Sequence, residues 1–274
     1  MWCFTIMFFA SGLSHAGGFN FVYSEQSEEI KLFLKGFAKN NIDKISDFSE
    51  VQVRSIQSCS NESTYIAFGT TVANQILKNC PIVKLIVSDS EYNIINFEAK
   101  VNRKYPAIFV DQSVRQQAKL IKKNIPHFNE IGILYQTEHE LSAIAAAERS
   151  TNVNFSAQKV ANGESPGPYF RDLIKNVDGI LITTNTNIWQ KKDIRGFLLY
   201  SLRQGKVMLG GPTKDYVKAG VFAGVYTDME QLGEKASLAI IGRNHQQLRL
   251  YPDDGHFIFN RFLASRLSIQ VTDE

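Results

Sequence analysis

Residues 106–135 read PAIFVDQSVRQQAKLIKKNIPHFNEIGILY, and the organisation of the chain turns on them. Ala107–Val110 is a short apolar run behind Pro106, and Ile131–Tyr135 is another. Between them Ala118, Leu120, Ile121 and Ile125 recur at roughly helical spacing, with Arg115, Lys119, Lys122 and Lys123 on the other positions. Ser113 is placed to cap that helix and Pro126 to end it. Strand, helix and strand at this length form a βαβ crossover. Similar units lie on both sides, so this one marks where the chain leaves one α/β lobe and starts a second.

Upstream, strands are expected at Phe19–Tyr23, within Ile45–Val53, at Thr64–Phe68 and at Ile82–Val87. A helix capped by Ser24 or Ser27 follows the first, and Thr71–Lys78 is a second helix. Lys84 sits awkwardly in a strand buried on both faces. Residues 88–105 read as polar and irregular. Downstream the alternation repeats, with strands near Phe155–Val160, Gly179–Thr183, Val207–Gly210, Val221–Val225 and His256–Phe259. Helices are expected at Glu140–Arg149, Tyr169–Val177, Asp193–Gln204, Tyr216–Ala219, Met229–Gly242 and Asn260–Leu267. This rhythm predicts doubly wound parallel sheets, and the strands are too many for one sheet of usual width.

The chain has 274 residues, 44% hydrophobic and 21% charged, with 30 basic against 27 acidic side chains and a net charge of +3. No basic block with interleaved aromatics is present, which argues against a nucleic-acid partner. The basic run Lys119–Lys123 reads as a solvated helix face. Residues 1–16, MWCFTIMFFASGLSHA, carry no Asp, Glu, Lys or Arg and end in a small-x-small pattern. They are too short to span a bilayer and read as a secretory signal peptide cut before Gly17, although a positive n-region is missing. The alternative is a buried N-terminal strand. Removing the leader leaves Cys59 and Cys80, each just ahead of a predicted strand. An even pair in an exported protein suggests a disulfide, and free buried thiols are the alternative.

The motifs of common chemistries are missing. There is no P-loop, no G-x-G-x-x-G turn and no G-x-S-x-G elbow. The five histidines are scattered without zinc spacing, and Asp253-Asp254 between Pro252 and Gly255 reads as a turn. What remains is a set of strand-end loops around Ser24-Glu25-Gln26, Gly69-Thr70-Thr71, Ser88-Asp89-Ser90, Tyr135-Gln136-Thr137, Thr183-Thr184-Asn185, Gly211-Pro212-Thr213 and Tyr226-Thr227-Asp228. In open α/β sheets ligands bind outside the carboxyl ends of the strands, and helices starting there attract an anionic group. These loops hold hydroxyls, amides and two tyrosines, with Asp89 and Asp228 as the clear acids and no Arg, and Lys214 lies at their edge. A phosphate ester or dicarboxylate would ordinarily meet a guanidinium fork. A small neutral or zwitterionic ligand fits better: its carboxylate on helix N-termini, its ammonium near an Asp, its apolar part against a tyrosine.

The ordered set YIAFGTTVANQIL, PIVKLIVSDS, VDQSVRQQAKLIKKNIPHFNEIGILY, GILITTNTNI, KVMLGGPTKDYVKAG-VFAGVYTDMEQLGEKASLAIIG and FNRFLASRLSIQV resembles uncharacterised ABC-transporter substrate-binding proteins of the type I periplasmic-binding-protein fold. The resemblance runs from about residue 62 to 271. It implies an α/β protein of two Rossmann-like lobes joined by three crossovers, near Asp111-Gln112, Val225–Thr227 and Pro252–Gly255. Lobe 1 would then comprise 17–111 plus 227–252, and lobe 2 112–226 plus 253–274. Matching ligand positions are Gly69, Thr70, Thr71, Ser88, Asp89, Tyr135, Thr184, Asn185 and Gly211; the loops themselves add Ser24, Gln26 and Tyr226. The Asp-Pro common after the fourth strand is here Asp89-Ser90, and residues 91–105 lack the family's Asn-x-Thr-Gly turn. The expectation is a monomeric periplasmic binding protein without cofactor, metal or catalytic residue. It would hand an amino-acid-like solute to an ABC permease, or alternatively report it to a membrane sensor. An enzyme using Asp89 or Asp228 as general base is the remaining rival.

Overall fold

The computed structural model describes residues 18–39, 48–53, 56–211, 213–241, 247–253 and 255–272. The expected leader, Pro212 and Asp254 lie outside them. Two six-stranded sheets organise the chain. The first contains β1 (Phe19–Tyr23), β2 (Phe48–Gln52), β3 (Thr64–Phe68), β4 (Lys84–Asp89), β5 (Ala107–Phe109) and β11 (Arg249–Leu250), in the order β11-β5-β4-β3-β1-β2. The second contains β6 (Glu130–Tyr135), β7 (Asn154–Lys159), β8 (Gly179–Ile182), β9 (Val207–Gly210), β10 (Ala223–Tyr226) and β12 (His256–Phe259), in the order β12-β10-β9-β8-β6-β7. All pairings are parallel except that of β10 with β12.

Alternation within each central strand sends neighbouring residues to opposite faces. In the first sheet Ile66, Ile86 and Ile108 pack beneath α1 (Glu28–Lys39) and α9 (Met229–Ile241), against Phe33, Phe37, Leu232 and Ala236. Their neighbours Ala67, Val87 and Phe109 pack on the other side, under α2 (Thr70–Asn79) and α3 (Glu91–Val101), against Val72, Ile76, Ile94 and Phe97. In the second sheet Ile133, Leu181 and Leu209 face α4 (Val114–Asn124), α5 (Glu138–Thr151) and α10 (Arg261–Leu267). Leu134, Ile180, Ile182 and Met208 face α6 (Gly167–Leu173), α7 (Lys191–Arg203) and the four-residue α8 (Asp215–Lys218). Each sheet with its helices is a lobe.

The chain crosses between the lobes three times: from β5 to α4, from β10 to α9, and from β11 to β12. α9 returns to the first lobe and lies so close on α1 that a Cβ at Gly233 would meet the Phe33 carbonyl oxygen at 2.0 Å, and one at Gly36 the Glu230 carbonyl oxygen at 1.8 Å. Backbone touches backbone along that seam. A bond between Cys59 and Cys80 ties the entrance of β3 to that of β4.

Three elements differ from the sequence reading. Residues 91–101, expected to be irregular, form α3, capped by Ser90, which accepts from the Asn93 N–H, and closed by Asn102 in the left-handed region. Polar residues and a β-branched pair dilute its apolar stripe, which hides the period. β4 starts at Lys84, whose side chain stays exposed at the strand's entrance; Ile82 lies outside the strand and is 81% exposed. β11 is too short for any periodicity to announce, yet it completes the first sheet beside β5.

Candidate ligand-binding cleft

The strand tips of both lobes open onto one cavity of about 1070 Å³. Phe68, Gly69, Ser88 and Asp89 line it from the first lobe, and Tyr135, Thr184, Asn185, Gly211 and Tyr226 from the second. Asp111, Gln112 and Thr227, all on crossovers, line it as well. Of the twelve expected ligand contacts, Ser24, Gln26, Thr70 and Thr71 lie outside this lining. Ser24, Gln26 and Thr71 are exposed.

Most polar groups at the strand tips are committed to the protein itself. The Asp89 carboxylate accepts from the Thr70 N–H (2.8 Å), the Ser90 N–H (2.7 Å) and Asn93 Nδ2 (2.9 Å). It therefore covers the start of α2, where a ligand carboxylate was expected. Asp111 Oδ1 accepts from the Glu91 N–H at the start of α3 (2.9 Å), and Asp111 Oδ2 from Thr184 Oγ1 of the second lobe (2.9 Å). Burial pushes the Asp111 carboxyl up to about 6 against those two bonds. Thr137 and Glu140 close a capping box on α5. Glu140 Oε1 also accepts from Asn185 Nδ2 (2.9 Å), which anchors the fully buried Asn185 and its loop.

Asp228 accepts from the Glu230 and Gln231 N–H groups at the start of α9. Burial works to raise its carboxyl, but those bonds and His256, 3.2 Å away, hold it below the usual range. Tyr226 donates its hydroxyl to the Gly210 carbonyl (3.1 Å), and burial raises its pKa. Every helix of eight or more residues that begins in the lining from α2 onward thus starts against one of the chain's own side chains.

Two polar atoms in the lining are different. Ser88 Oγ and Gln112 Oε1 are shielded from solvent and have no hydrogen-bond partner among the described residues. The walls around them are largely apolar, with Phe68, Tyr92, Ile95, Val110, Tyr135 and Met229. The charges are mainly acidic, and no arginine contributes; Lys214 and Lys218 supply the lysines, Lys218 already paired with Asp215 at 2.9 Å. The first turn of α3 also reaches the second lobe. Asn187 Nδ2 donates to the Tyr92 hydroxyl at 2.6 Å, and His139 Nε2 lies 3.6 Å from Glu91.

The model of the family described as ABC transporter substrate binding protein matches residues 34–274. The chain belongs to that family. Substrate-binding proteins of this kind bind rather than transform their solutes, and work outside the cytoplasm as a rule. Solved structures share the fold at low identity. A substrate binding protein with adhesive properties from Clostridium difficile, in its ligand-free, open form, matches with a TM-score of 0.63 and 14% identity, covering 93% of this chain and 95% of that one. An ABC domain from Streptococcus pneumonia in complex with L-Trp matches with 0.57 and 14%, covering 93% and 96%. A conserved domain protein from Vibrio cholerae matches with 0.58 and 13%, covering 94% and 97%. No curated sequence matches the chain.

Within this substrate-binding protein the sequence reading missed the cleft residues Glu91, Tyr92 and Ile95, because α3 was not legible as a helix. Ser90 preceding Glu91 is the one local signal that points to a helix start there. Asp111 and Gln112 were visible only as a crossover.

Proposed function

We propose that the protein captures a small amine-bearing or zwitterionic solute of amino-acid type between its lobes, in the periplasm, and delivers it to an ABC permease. One observation carries the ligand class. The lining offers acceptors, while the helix starts that would take an anion are already covered by Asp89, Asp111, Glu140 and Asp228. A ligand that brings N–H groups complements such a wall; a dicarboxylate or phosphate would be repelled by it. The aromatic walls suit an apolar body beside the amine, and Lys214 at the rim suits a single carboxylate.

Isothermal titration against the L-amino acids, dicarboxylates and sugar phosphates tests the ligand class. Binding confined to the amino acids is the expected result, and tight binding of only the other two classes would overturn it. Delivery is tested by uptake of the bound amino acid in cells lacking this protein, which should fall.

A further inference from the structure

We propose that Gln112 is a ligand-contact residue, its side-chain carbonyl taking a hydrogen bond from an N–H of the bound solute while its amide nitrogen holds the three crossovers together. This deepens the amine reading above and rests on it. Gln112 stands on the first crossover, 7% exposed. Its Nε2 donates to Thr227 Oγ1 on the second crossover (3.0 Å) and to the Asp253 carbonyl on the third (3.1 Å). One side-chain nitrogen thus bonds to both of the other connections between the lobes.

The orientation of the amide follows from chemistry. A main-chain carbonyl only accepts, so the atom facing Asp253 is the nitrogen and the atom facing away is the oxygen. Packing also clamps the group: a Cβ at Gly255 would stand 2.8 Å from Gln112 Nε2 and 2.9 Å from its Cδ. Gln112 is one of the residues lining the cleft, and its oxygen has no partner among the described residues; it is covered in this conformation, so a solute reaches it as the crossovers shift. A buried acceptor left unpaired is unfavourable, and a carbonyl oxygen is satisfied only by a donor. Neighbouring Asp111 and Asp228 offer acceptors, not donors, from their carboxylates. The missing donor is therefore assigned to the solute, and its chemical class is an amine or ammonium. A solute bonded to this oxygen acts on the residue that joins the crossovers, so binding and lobe closure share one side chain.

Three variants separate the two roles. Gln112→Lys keeps a donor toward Thr227 and Asp253 and removes the acceptor. Gln112→Glu keeps acceptors and removes the donor. Gln112→Met removes both at similar length. The L-amino acids and putrescine, each beside the matching compound without its amine, are titrated into wild type, and the tightest amine into the variants. Melting of the ligand-free proteins reports folding.

The expected result is a tenfold or greater loss of affinity in Gln112→Lys and Gln112→Met, with Gln112→Glu within a few-fold of wild type. Loss in Gln112→Glu and Gln112→Met with retention in Gln112→Lys would show a hinge role alone and overturn the proposal, as would wild-type affinity in Gln112→Met. Should Gln112→Lys not fold, the Met and Glu variants decide between the same outcomes. Failure of every amine to bind wild type would overturn the ligand class itself, which distinguishes that failure from the failure of Gln112.

Discussion

At the scale of single residues, Asp111 sets a pH dependence whose sign is fixed by its surroundings. Burial raises its folded pKa from 3.8 to about 6. Between those values the folded protein holds a proton that the unfolded chain has lost, so this group's contribution to stability falls as pH rises through the window. Relative to Asp111→Asn, wild type should lose about 1–3 kcal/mol between pH 4 and pH 7, read from urea midpoints across that range. A second residue-level prediction concerns Glu98, which accepts from Arg249 Nη1 (2.5 Å) and from the Tyr105 N–H (3.0 Å) while 8% exposed. Glu98→Ala leaves the Tyr105 N–H without its acceptor and Arg249 without its carboxylate, and should cost about 2–4 kcal/mol in the same measurement. Of the acids at the strand tips, the sequence showed position without aim. Asp111 was legible as the residue after a strand, as Asp89 was, but which donors each would meet depends on backbones distant in sequence.

At the scale of elements, α1 and α9 carry the sharpest prediction. Their reciprocal glycines let the two backbones meet, and neither a carbonyl oxygen nor a helix axis yields cheaply. Gly233→Ala should therefore destabilise the protein by about 1–3 kcal/mol or more, seen as a lowered unfolding midpoint, although alanine is the better helix former. At α5, Glu140 serves the capping box and also holds Asn185. Thr137→Ala should cost about 1 kcal/mol, and Glu140→Ala more, because the loop after β8 loses its anchor too; equilibrium unfolding of the two variants checks the order. Amphipathic α4 was legible from its spacing, with its basic face outward. α3 was not: it buries only Ile94, Phe97 and Glu98, and its ends are marked by caps rather than by an apolar stripe.

At the scale of the molecule, the alternation of strands and helices was enough to indicate two lobes, because central strands buried on both faces leave runs such as Thr64–Phe68 and Gly179–Ile182. The edge strand β11 was not legible, since two residues carry no period. The Cys59–Cys80 bond closes a sequence separation of 21 residues within the first lobe, and its reduction should remove about 3 kcal/mol of stability, measured by denaturation with and without dithiothreitol.

β11 and β12 lie within a few residues of each other in the chain but edge different sheets. During synthesis, then, neither half can be finished when its own central strands have emerged. The first waits for α9 to cover Ile66, Ile86 and Ile108, and the second for β12 and α10. A growing chain halted before residue 229 would present two incomplete apolar faces at once, so both halves reach their final form together, once α9, β12 and α10 have emerged.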